Sequence, residues 1–132
     1  MPLTRILALA VMLCAASLPA RAETAREVQS SCKDIAHAKS GPNQQITITS
    51  NYRSGFCWGT FASVQGLISY VSRDGARILR FCPPEGTTRL DLIRVFSKFV
   101  DDKPSAGHQD FMRVALRALS AAYPCPGVPA WE

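Results

Sequence analysis

The chain has 132 residues, of which 19% are charged and 47% hydrophobic, and a net charge of +5. That length holds one small domain, with or without a targeting segment, and excludes a multidomain enzyme or a large cofactor fold. The composition excludes a disordered polyelectrolyte and a protein of several membrane spans. The basic groups are scattered rather than clustered, which argues against a nucleic-acid partner.

The chain opens with Met1-Pro-Leu-Thr-Arg5, runs apolar from Ile6 to Leu18, and then reads Pro19-Ala-Arg-Ala22. A positive start, an apolar stretch too short to span a bilayer comfortably and an A-x-A site predict a signal peptide over residues 1–22. Cleavage after Ala22 leaves residues 23–132 as a single exported domain with no membrane attachment. Arg5, Arg21 and Cys14 leave with the signal. Cys32, Cys57, Cys82 and Cys125 remain, an even number in an exported chain, which predicts two disulfides. With no C-x-x-C spacing and an oxidising compartment, neither a metal site nor thiol catalysis is expected.

The mature chain reads as all-α, a small disulfide-stapled bundle of about four helices. The first is predicted over Thr24 to Lys39, with Ala25, Val28, Cys32, Ile35 and Ala36 at helical spacing. Ser40-Gly-Pro-Asn43 ends it. Ile46 to Ser50 alternates, but one short run cannot make a sheet. A second helix is predicted from Gly55 or Phe56 to about Ser72, burying Cys57, Phe61, Val64, Ile68 and Val71. Gly59, Ala62, Ser63 and Gly66 form a second stripe on it. Each interior glycine costs about 1 kcal/mol relative to alanine, so Gly59, Ser63 and Gly66 mark either a tightly packed face of the monomer or a dimer interface.

Phe81-Cys-Pro-Pro-Glu-Gly86 breaks the chain, because two prolines forbid a continuous helix. Thr88-x-x-Asp91 is a capping box for a third helix. It carries Leu92, Val95, Phe96 and Phe99 inward, flanked by Ile93 and Val100, with Arg89, Asp91, Arg94 and Lys98 outward. Residues 101–107 form a short connection. The fourth helix, His108 to Tyr123, presents Met112, Leu116, Leu119 and Tyr123, widened by Phe111, Ala115, Ala118 and Ala122. Pro124 and Pro126 stop it. Short loops imply antiparallel neighbours. In a hairpin of helices three and four, Cys82 and Cys125 lie side by side. This favours Cys82–Cys125 and Cys32–Cys57 among the three possible connectivities.

Reactive chemistry is sparse. His37 and His108 are the only histidines, neither accompanied by an activated nucleophile, and no H-E-x-x-H, G-x-S-x-G or P-loop pattern occurs. Asp101-Asp102 reads as solvated acid rather than a cation site. Arg73, Arg77 and Arg80 recur at near-helical spacing and read either as a track for an anionic partner or as a solvated face, and the interruption by Asp74 favours the solvated face. Trp58 and Tyr70 read as packing groups first and as interface anchors second. No enzyme, cofactor or metal is expected.

Four segments resemble the Rap/Tai family of type VI secretion immunity proteins: Phe56-Cys-Trp-Gly59 with Gly66 downstream, Phe81-Cys-Pro-Pro-Glu-Gly86-Thr, Leu92-Ile-Arg-Val-Phe-Ser-Lys-Phe-Val100, and Ala115 to Tyr123-Pro-Cys125. They fall in order from Phe56 to Cys125, with the aromatic after Gly59 displaced by one place to Phe61. The resemblance implies a small exported helical protein, often a homodimer, that binds and occludes a peptidoglycan amidase with surface rather than chemistry. Under that reading, the polar connection Asp101, Asp102, Lys103, Pro104, Ser105 and Gly107 is the candidate loop for partner binding. The alternative of different class is a periplasmic acid-stress or chaperone-like helical protein with no dedicated effector. A third, a small hydrolase, would need His37 or His108.

Overall fold

The computed structural model describes residues 22–129 apart from Gln44. The expected signal peptide, Cys14 included, lies outside the described residues except at Ala22. The architecture is all-α, as expected. Four α-helices, α1 (Ala25–Ala36), α2 (Tyr52–Leu67), α3 (Arg89–Asp102) and α4 (Phe111–Ala122), are joined by loops and one 3-10 helix (Pro104–His108). Strand pairing among the described residues is confined to isolated bridges.

Local chemistry fixes each helix start. Thr24 and Glu27 form a reciprocal capping box, the Glu27 carboxylate accepting from the Thr24 N–H at 2.7 Å. The Thr88–Asp91 box forms as its spacing predicts, with the Thr88 N–H donating at 2.8 Å. Asn51 caps α2 by accepting from the Ser54 N–H at 2.9 Å, so the helix starts at Tyr52, earlier than the apolar periodicity indicates. Asp110 does the same for α4, accepting from the Arg113 N–H at 3.0 Å. Such caps stabilise a helix by about 1 kcal/mol each.

Helix α1 touches α2, α3, α4 and the 3-10 helix and is the hub of the bundle. Its amphipathic face buries Ala25, Val28, Cys32 and Ile35. The centre of the core is a triad of rings, one from each remaining helix: Phe96 lies 5.5 Å from Phe61 and 5.3 Å from Phe111, and Phe61 lies 5.8 Å from Phe111. The edge-on and tilted geometries are those that aromatic quadrupoles favour. Arg94 of α3 reaches across to the end of α1, donating to the Ala36 and Ala38 carbonyls at 3.1 and 2.6 Å. These are groups that a helix terminus leaves without partners.

Further sequence expectations are corrected. Helix α4 starts at Phe111, not His108, which closes the 3-10 helix. Helix α1 ends at Ala36, not Lys39, where His37 caps it. Helix α2 ends at Leu67, not Ser72. Beyond it the chain turns back on itself, with the Ser72 N–H bonding the Ala76 carbonyl at 2.8 Å and the Ile78 N–H bonding the Tyr70 carbonyl at 3.3 Å. Gly75, at φ +82°, supplies the left-handed residue that this turn needs. Finally, the inward faces of α3 and α4 are rotated relative to the pattern of large side chains. On α3, Leu90, Ile93 and Val100 join Leu92 and Phe96 inside, while Val95 and Phe99 are half-buried. On α4, Phe111, Val114, Ala115, Ala118 and Leu119 are buried, whereas Met112 and Ala122 are exposed and Leu116 and Tyr123 half-buried. Small residues such as Ala115 and Ala118 let helices approach closely, so the seam follows them rather than the bulkiest side chains.

Candidate partner-binding surfaces

Both expected disulfides form: Cys32–Cys57, with Cα atoms 5.1 Å apart, ties α1 to α2, and Cys82–Cys125, at 4.9 Å, ties the approach to α3 to the end of α4. A backbone bond from the Cys82 N–H to the Tyr123 carbonyl at 2.8 Å reinforces the second staple. Surface segments near the staples are therefore presented on a body with little freedom to rearrange.

The candidate connection 101–107 is more structured than a protruding loop. Asp101 and Asp102 form the last turn of α3, and Pro104 to His108 wind into the 3-10 helix. Gln29 of α1 donates to Asp101 at 2.8 Å and to the Ser97 carbonyl at 3.0 Å, and Arg26 donates to the Pro104 carbonyl at 3.2 Å. Gly107 is buried, and a Cβ there would stand 3.0 Å from the Arg26 guanidinium. Its lack of a side chain is what seats the segment on α1. Residues Asp101 to Ser105 stay exposed. Lys98 pairs with Asp102 at 2.9 Å, and the hydrogen bond and charge of that carboxylate raise the lysine above its ordinary value. Lys103 stacks its ammonium over Phe99 at 4.6 Å.

Gly59, Ser63 and Gly66 lie on the outward side of α2, exposed. A Cβ at Gly55, Gly59 or Gly66 would meet nothing within 4 Å. Among the described residues no close approach accounts for these glycines. The same side carries Tyr52, 83% exposed, stacked on Phe56 at 6.2 Å. No charged residue occurs between Arg53 and Arg73.

Sequence reasoning missed the hairpin that follows α2. Arg73, Arg77 and Arg80 belong to it or to its returning arm rather than to a helix face, and all three are exposed. The signal was present as Asp74-Gly75, a turn dipeptide. The Ser72 hydroxyl and the Ala76 N–H donate to the Asp74 carboxylate, which holds it below the usual carboxylate range. Trp58, expected as a packing group, is half-buried with the Arg89 guanidinium 4.6 Å above its ring. Tyr70 is exposed instead.

His37 and His108 are both exposed and lie in different elements. The His37 Nδ1 sits 2.8 Å from the Lys33 carbonyl of its own helix. Among the described residues no group of three or more His, Cys, Asp or Glu is placed to hold a metal ion, and no helix is long and apolar enough to cross a membrane.

No curated protein and no solved structure matches the chain. One family model does, described as Rap1a immunity proteins, and it covers residues 20–125. That span contains all four helices and both disulfides, and it takes in the four segments whose resemblance pointed to the Rap/Tai immunity proteins. By that match and by its disulfide-stapled all-α fold, the chain belongs to the Rap1a immunity protein family.

Proposed function

We propose that this immunity protein acts in the periplasm, where it binds a peptidoglycan amidase and occludes its active site. The observation that carries the reading is the family match over residues 20–125, which makes the partner a secreted effector protein. The amidase and the compartment are inferences from the motif resemblance, the A-x-A segment at Ala20–Ala22 and the paired cysteines. Occlusion needs complementary surface rather than reactivity, and a body held by two disulfides loses little freedom on binding. The exposed residues Asp101 to Ser105 are one proposed contact.

The proposal includes a homodimer through the outer side of α2. An uncharged face with glycines at its centre and aromatic residues at its edge supports self-association, because a two-fold contact sets the same patch against itself. The test is hydrolysis of purified peptidoglycan by secreted amidases, each with and without the mature protein, together with sedimentation of the protein alone. Stoichiometric loss of hydrolysis is expected. A complex that forms yet leaves hydrolysis intact rejects occlusion, and a wild type that sediments as a monomer at high micromolar concentration rejects the dimer.

A further inference from the structure

Every residue from Ser69 to Ile78 is exposed, large apolar and aromatic side chains included. Tyr70 is 61% exposed, Val71 56% and Ile78 53%. Apolar groups gathered on a loop forgo burial in the core, and a cluster of them on one projection marks an interaction site more often than scattered single residues do.

The segment is also held in shape. Val71 bridges Arg77, the Arg77 guanidinium donates to the Ile68 carbonyl at 3.1 Å, and Asp74 is bound within the turn by Ser72 and Ala76. Its base continues into Phe81, buried and bridged to Pro124, and then into the Cys82–Cys125 disulfide. Between the hairpin and the Pro83–Thr87 turn lies an open groove of about 620 Å³, lined by Val71, Arg77, Pro83 and Pro84 among others.

The charge on this projection is net positive, three arginines against one acid. Arg73, Arg77 and Arg80 are interspersed with the apolar residues along the hairpin, and the one acid among them, Asp74, has its carboxylate hydrogen-bonded within the turn. Tyrosine and arginine are the side chains that most often carry binding energy at protein interfaces.

We infer that the hairpin 69–80 is a docking surface for an acidic surface of the effector, with Tyr70, Val71 and Ile78 as the apolar anchors and the arginines as the charged rim. This rests on the proposed function and adds the chemistry of the partner. A second copy of the chain fits less well: a two-fold contact here sets net positive charge against net positive charge, whereas the outer side of α2 carries no such penalty. The hairpin precedes α3 and the Asp101–Ser105 segment follows it. A helix of 14 residues spans about 21 Å, so the two surfaces lie at opposite ends of α3.

The experiment uses an amidase whose hydrolysis the wild type blocks. Arg73→Glu, the Tyr70→Ala/Ile78→Ala pair and, at the other end of α3, Asp101→Ala/Lys103→Ala are compared in affinity and association rate at 50 and 300 mM salt. All hairpin changes are at exposed positions, and melting curves confirm that each variant is folded. Expected are a loss of about 10-fold or more for the apolar pair, through faster dissociation. Arg73→Glu is expected to slow association and flatten its salt dependence. The Asp101/Lys103 pair should have the smaller effect. Hairpin variants that bind like wild type overturn the inference while leaving the proposed function standing. Hairpin-dependent binding to phosphatidylglycerol vesicles, with amidase affinity unchanged, overturns it in favour of a lipid surface. A wild type that blocks no amidase removes the proposed function itself, and the inference with it.

Discussion

The two disulfides close loops of different length, 25 and 43 residues. Loop-closure entropy assigns them about 3.5 and about 4 kcal/mol of stabilisation at 25 °C. The gap between them, about 0.5 kcal/mol, is too small to decide which matters more, so burial decides. Cys32 and Cys57 are fully enclosed, whereas Cys82 is half-buried and Cys125 is 8% exposed. Removing two enclosed sulfurs leaves a void of about 40 Å³, which at about 24 cal/mol per Å³ adds about 1 kcal/mol. The Cys32→Ala/Cys57→Ala variant should therefore be the less stable of the two pairs despite its shorter loop. A mild reductant should open the accessible Cys82–Cys125 bond first. Alkylation and peptide mapping at graded reductant concentrations read the order of opening, and thermal melts read the cost. At about 4–8 °C per kcal/mol for a domain of this size, losing either bond lowers Tm by about 14 °C or more. A reduced protein that melts within about 5 °C of the oxidised one, or a Cys32–Cys57 bond that opens first, would refute this reasoning.

Two further outcomes follow from the core and its edge. Phe96, fully buried between Phe61 and Phe111, should cost about 3–5 kcal/mol on replacement by alanine. Phe99, which periodicity ranks beside it, is half-buried and should cost less than half as much; equal losses in chemical denaturation would contradict the assigned face of α3. Tyr123 is raised above its ordinary value of 10.0, by burial first and then by the charge of Asp91. A raised folded pKa favours the fold while the phenol is protonated, and that advantage is lost as pH climbs through the folded value. Stability should thus fall more steeply above about pH 10 in the wild type than in Tyr123→Phe, and parallel melting profiles would count against it.

The fold was largely legible because its strongest determinants are local. Thr88-x-x-Asp91 announces a helix start through hydrogen bonds three residues apart, and Pro83-Pro84 forbids a helix through steric exclusion. Neither needs tertiary context. The cysteine pairing followed from short connections alone. What escaped was tertiary. Ile68 and Val71 continue the spacing of α2, so periodicity carries the helix onward, yet Asp74-Gly75 reverses the chain and Val71 ends up exposed. The face of α4 was misjudged because large side chains dominate a sequence pattern, while its close packing runs along Ala115 and Ala118; on α3 the buried face turns toward Leu90, Ile93 and Val100. Asn51 moved a boundary that no apolar residue marks.

The candidate sites were legible to different degrees for the same reason. A polar run such as Asp101-Asp-Lys-Pro-Ser105 looks like a free loop in any sequence. Only the contacts of Gln29 and Arg26 reveal that it is seated on α1. The glycines of α2 posed the sharper problem, since a helix that is apolar on every side is usually enclosed. Here α1 and α3 cover one side and nothing within the described chain covers the other. Between Arg53 and Arg73 no residue is charged, and Arg73, Arg77 and Arg80 then fall on one hairpin and its returning arm. An uncharged face accepts a copy of itself, whereas a face of net positive charge disfavours a copy and selects an opposite. Under the proposed dimer and the inferred docking hairpin, the adjacency of the two along one stretch of sequence would separate self-association from partner recognition. It requires that charge placed at Gly59 disturb the oligomer before the affinity for effector, and that charge reversal at Arg73 do the opposite.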